Sequence, residues 1–138
     1  MIQWDVPLEQ SSTVTFTITN SRDNDGDSMK FGIALSTHDI EQFIGATEQS
    51  WAFNRYDGKS TYNDEVYDYA NVDNSDVNAD TVALHVDKEK GEVSVSVNGD
   101  HLGPMFQDER IKTEAIYPAM NTYLKGDQVE LTSIELME

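Results

Sequence analysis

His38, His85 and His101 are the only histidines of the chain, and general-base chemistry near neutral pH would have to start from them. His85 falls on the polar side of an alternating run, His101 follows an Asn-Gly turn and His38 sits in a loop, so all three read as surface histidines. A hydroxyl nucleophile would need His38 to reach Ser36 or Thr37, and no serine occupies a strand-to-helix elbow. The absence of cysteine removes thiolate nucleophiles, thiolate metal sites and disulfides. Carboxylates are abundant, but 26 acidic residues on a small surface form pairs by chance. A glycosidase needs two of them in a cleft at a set separation, flanked by sugar-stacking rings. Trp51, Tyr56, Tyr62, Tyr67 and Tyr69 keep a carbohydrate-binding sandwich open as an alternative on that ground. Asp23, Asp25 and Asp27 alternate in DNDGDS, and Asp73, Asp76 and Asp80 space out DNSDVNAD. Calcium takes oxygen ligands from such loops, yet neither run has EF-hand spacing, and turn chemistry accounts for both. The reading is therefore non-enzymatic: no catalytic residue, no metal ligand and no cofactor is assigned.

The elements that would position a site are strands. Val14, Phe16 and Ile18 alternate with threonines; Phe31, Ile33 and Leu35 alternate in KFGIALS; Val82, Leu84 and Val86, then Val93, Val95 and Val97, do the same. Period-two alternation makes a strand with one apolar and one polar face. Asn98-Gly99 follows directly, and since a type I′ turn needs positive φ twice, this pair predicts a two-residue hairpin into LGPMF. AIYPAMNTYL and QVELTSIEL close the chain. Val129 and Leu131 are out of phase with Ile134 and Leu136, which predicts a bulge near Ser133. The stretch from Thr37 to about Ala79 reads as a long irregular middle, and THDIEQFIG is the one helical candidate. The fold class is all-β, a two-sheet antiparallel sandwich, in a single domain over residues 1–138.

Charge narrows the partners. Twenty-six acidic and nine basic residues leave a formal charge of −17. Nucleic acid and anionic membrane are recognised through clustered Lys and Arg, so neither is expected as a partner. A basic protein or peptide would be attracted. No leader, membrane span or glycosylation sequon is read, so a cytoplasmic or nuclear location is expected, as a monomer or as part of a larger chain or complex. A surface rich in acids would also suit high salt.

DTVALHVDKEKGEVSVSVNGDHLGPMF resembles the core of a SPRY domain, with Asp87, Gly91, Asn98, Gly99, Leu102, Gly103 and Phe106 in the family's order. Ile116-Tyr117-Pro118-Ala119 is similar to the Leu-Tyr-Pro that follows there. FGIALS resembles the family's Val-Gly-Val-Ala strand. Gly45, Ser50, Trp51 and Asp57-Gly58 resemble its Gly, Ser-Trp and Asp-Gly positions, with Phe53 where a second tryptophan often stands. The likeness runs from roughly Thr13 to Leu136. The chain departs from it at Ala79-Asp80-Thr81, where Gly-Asp-Val is common, at Pro104, and in a short N-terminal region.

The resemblance implies a bent, concanavalin A-like sandwich whose loops at one end bind a short segment of another protein, as an adaptor would. It carries no catalysis. The recognition positions it implies are Ser36, Thr37, Phe43, Ile44, Ala46, Thr47, Tyr123 and Leu124. Trp51 is expected in the core and Trp4 over a sheet edge. Arg55, beside Tyr56, is one of only three arginines; both it and Tyr56 are candidate ligand contacts, with an ion pair as the other role for Arg55. A structural domain buried within a larger assembly is the remaining alternative.

Overall fold

The computed structural model describes residues 2–20, 29–39, 41–73, 80–122 and 128–137. Its strands are β1 (Ile2–Gln3), β2 (Ser12–Asn20), β3 (Met29–Leu35), β4 (Ser50–Asn54), β5 (Ser60–Tyr62), β6 (Glu65–Tyr67), β7 (Thr81–Asp87), β8 (Glu92–Val97), β9 (Asp100–Gln107), β10 (Ile116–Thr122) and β11 (Gln128–Leu136), with one short helix, α1 (Glu109–Thr113). They form two antiparallel sheets, ordered β1-β10-β3-β4-β5-β6 and β11-β2-β7-β8-β9.

Alternation dictates which faces meet. Val14, Phe16 and Ile18 of β2, Val82, Leu84 and Val86 of β7, and the three valines of β8 point inward from one sheet. Met29, Phe31, Ile33, Leu35, Trp51, Phe53, Ile116 and Met120 answer from the other. The Phe16 and Phe31 rings meet across the layer at 5.1 Å, and Trp4 tilts onto Phe16 at 5.4 Å. Trp4 thus covers core beside β1, and Trp51 is buried, both as the sequence suggests. Facing apolar surfaces of this kind supply most of the drive to fold.

The turn and the bulge also appear where expected. Asn98 has φ +52 and Gly99 φ +86, and Val97 pairs with Asp100 across them. The β2–β11 register slips between Leu131 and Ser133, which returns Ile134 to the core side opposite Val14. Pro104 lies in β9, at the edge of its sheet and beside a register shift, where a missing N–H is tolerated.

Three expectations need correction. The middle is not irregular throughout, because β4, β5 and β6 lie within it; β5 and β6 have only three residues each, too few to display a period. The described residues of THDIEQFIG form turns rather than a helix, since Asp39 accepts locally from the Glu41 and Gln42 amides. The described helix is instead α1, a single turn with Asp108 as its N-cap and Ile111 buried beneath it.

Gly99 isolates the backbone contribution of the hairpin, because nothing lies within 4 Å of where its Cβ would be. Gly99→Val therefore adds strain without a clash and should cost about 1–3 kcal/mol. A urea midpoint that falls accordingly agrees with this; an unchanged midpoint contradicts the type I′ turn.

Candidate functional site

The outer face of the six-stranded sheet is built from the alternate residues of its strands, and across the middle these are small. Ala119, Gly32, Ala52 and Thr61 lie side by side on β10, β3, β4 and β5. Their size leaves room for the segment between β3 and β4, residues 36–49, to fold back over the sheet. Ile44 fills that space, buried against Ala34, Ala52 and Ala119.

Hydrogen bonds fix the segment. The Ile44 N–H donates to Asn121 Oδ1 at 2.6 Å, and the Gly45 N–H to Ser50 Oγ at 2.7 Å. The Asp64 N–H donates to the Gly45 carbonyl at 2.9 Å, and the Ala46 N–H to that of Phe43 at 3.0 Å. Gly45 has φ +87, and a Cβ there would stand 2.9 Å from the Thr61 carbonyl oxygen, so only glycine fits. Thr37 Oγ1 donates to Gln49 Oε1, while Thr47 Oγ1 shares a hydrogen with His38 Nδ1 at 2.9 Å. Above this framework Phe43 is 55% exposed. The result is an aromatic side chain on a backbone that is held from below.

Ser36, Thr37, Phe43, Ala46 and Thr47 share this outward segment, the first three exposed and the last two half-buried. Tyr123 and Leu124 lie outside the described residues. Three other positions are interior. Ile44 packs under the segment instead of facing a ligand. Tyr56 is buried in the main core, 2% exposed. Arg55 is 3% exposed and spans the two sheets: its Nε and Nη2 donate to Asp80 Oδ2 at 3.1 and 2.5 Å, and Nη2 also donates to the Asp73 carbonyl. Asp80 Oδ1 accepts from Asn98 Nδ2 at 2.9 Å, and Asn98 Oδ1 accepts from the Thr81 N–H. Of the roles open to Arg55, the ion pair is the one present. Burial of Trp51 and Tyr56 likewise removes two of the rings that a sugar site would use.

Asn121, Ser50 and His38 were not singled out as site residues. Asn121 could have been: in AIYPAMNT it stands two residues after Ala119, on the outward side, where a buried amide implies a backbone to bind.

No group of three or more His, Asp or Glu able to hold a metal occurs among the described residues. Asp23, Asp25, Asp27 and Asp76 lie outside them, and Asp80 is committed to Arg55 and Asn98. No helix among the described residues is long and apolar enough to cross a membrane.

His101 is exposed as expected, but His38 and His85 are less so. His38 is buried, its Nε2 without a hydrogen-bond partner. Burial pushes its imidazole below the ordinary value, against the opposing pull of the Gln42 backbone and Asp39. His85 is half-buried, bonded to Thr13 Oγ1 at 3.0 Å and Ser96 Oγ at 2.7 Å, and stacked on His101 at 5.3 Å. Burial, then the His101 charge, lowers it too. Both are depressed bases, so the folded state prefers them neutral. Their stabilising contribution is complete above the unfolded value of about 6.5 and declines as pH falls below it, levelling beneath the folded values. Melting temperature should therefore drop between about pH 7 and pH 5, and less steeply in His85→Gln. A flat profile for the unsubstituted protein over that window would contradict the burial of these rings.

A family model described as SPRY domain matches residues 13–134. No curated protein matches the chain. Among solved structures it is similar to the SPRY domain of human HERC1, at 18% identity and a TM-score of 0.74, covering 99% of this chain and 81% of that one. A second human SPRY domain crystal structure aligns at 15% identity and a TM-score of 0.74, covering 97% and 82%. At these identities the structural likeness speaks for the fold.

Proposed function

Because the chain belongs to the SPRY domain family, whose domains generally serve as protein–protein interaction modules rather than enzymes, we propose that it captures a short segment of a partner protein on the surface made by residues 36–49. The observation that supports this most is Phe43, an exposed aromatic on a backbone held by Asn121, Ser50 and the Asp64 amide. A side chain presented from a fixed loop loses little further freedom on binding, which favours its use as an anchor. Ser36, Thr37 and Thr47 would add hydrogen bonds around it, and Ala46 a small contact. Tyr123 and Leu124 are kept as further contacts on the strength of the family resemblance alone, since they lie outside the described residues.

The charge of −17 surrounds any such site with negative potential, so the proposed ligand has an apolar centre and Lys or Arg flanks. That field speeds the approach of a basic partner and is screened within about 8–10 Å near physiological ionic strength. The apolar anchor acts on dissociation.

Surface plasmon resonance on a captured partner at low and moderate salt separates the two contributions. Salt should slow association with little change in dissociation, and Phe43→Ala should speed dissociation several-fold. If Phe43→Ala leaves both rates unchanged, the recognition surface lies elsewhere.

A further inference from the structure

The six-stranded sheet ends in an exposed edge at β6. Among the described residues no strand pairs with its outer side. The hairpin joining β5 to β6 turns through Asn63 and Asp64, both at positive φ, with Tyr62 opposite Glu65 and Ser60 opposite Tyr67. A two-residue turn makes its flanking pair the hydrogen-bonded one, so Glu65 and Tyr67 bond inward to β5. Alternation then turns the Val66 N–H and C=O outward. The side chains there are also unusual for an edge: Val66 is 61% exposed and Tyr67 42%.

Charge decides what could use this edge. Asp64, Glu65 and Asp68 are exposed on and beside the strand, and Asp57 and Asp68 line an open cleft of about 450 Å³ at its end, with Lys59 as the cation there. A second copy of the chain, pairing edge to edge, would set these acids against their own counterparts between two bodies of −17 charge. Like charges placed opposite each other oppose self-pairing at an edge strand, yet the same charges admit a basic strand. We propose that the β6 edge is a second docking surface, which takes an extended segment of a partner protein by backbone pairing at Val66. That segment carries an apolar residue over Val66 and a Lys or Arg that reaches the Asp57–Asp68 cleft. The mode is strand addition, with main-chain bonds supplying register and the acids selecting the partner.

The probe is a synthetic peptide of alternating valine and threonine with lysines at both ends, titrated into the ¹⁵N-labelled protein. The expected result is a shifted Val66 amide that exchanges more slowly with solvent. The same peptide with glutamates at its ends, or N-methylated on alternate residues, should produce neither change. Val66→Pro removes the outward donor while sparing the bonds to β5, and should weaken the lysine peptide roughly tenfold or more. Should Val66→Pro not fold, Glu65→Lys with Asp68→Lys should weaken the lysine peptide and admit the glutamate one. Phe43→Ala should leave this binding unchanged, which separates it from the proposed surface at residues 36–49. Equal binding of the two charge types, shifts confined to residues 36–49, or a dimer in sedimentation without peptide would each overturn the proposal.

Discussion

A buried guanidinium is the constraint around which this sandwich is arranged. Taking a charge out of water costs several kcal/mol unless a partner and further hydrogen bonds replace the lost hydration. Arg55, just past the end of β4, meets most of that requirement through Nε and Nη2. These bond to Asp80, just before β7 in the opposite sheet, and to the Asp73 carbonyl, while Nη1 has no hydrogen-bond partner. Asp80 then holds Asn98, and Asn98 holds Thr81, so one ion pair joins the end of β4, the start of β7 and the β8–β9 turn. The Arg55 N–H bonds to the Met29 carbonyl and brings in the start of β3 as well. Apolar burial supplies the larger share of stability, but it has no direction; this network sets where the two sheets meet at that end.

The other end of β3 and β4 is organised differently. There the chain between Leu35 and Ser50 returns over the outer face and is held by backbone amides bonded to Asn121 and Ser50. No ion pair among the described residues closes that end. Polar side chains fix this backbone from below, and Phe43 stands exposed above it. One end of the strand pair is thereby committed to holding the sheets, while the other is available for contact.

Much of this was legible in the sequence. Strict alternation in β2, β7 and β8 gave the strands and their inner faces, because a period of two has no other economical reading over seven residues. Asn98-Gly99 gave its turn because few dipeptides tolerate positive φ twice, and the phase slip between Leu131 and Ile134 gave the bulge. The three-residue strands β5 and β6 and the single turn of α1 could not be read, since they are shorter than the periods that would announce them. The site was legible in part. Its segment was marked by the resemblance, but which side chains face in or out depends on a chain that crosses the sheet, and local pattern is silent on that. Ile44 and Phe43 are adjacent and both apolar, yet one is buried and the other exposed. Arg55 misled for a related reason: its partner Asp80 lies 25 residues away, across the sandwich.

The assignment of Arg55 to the interior divides structure from recognition in this account, so it is the point to test. A double-mutant cycle of Arg55→Leu and Asp80→Leu, followed by urea denaturation, measures it directly. Each single substitution strands a charge and should cost about 3–5 kcal/mol, and the double should cost clearly less than the sum of the two. Small and additive effects would mean that the pair is solvated and exposed, and Arg55 would return as a candidate contact for a partner.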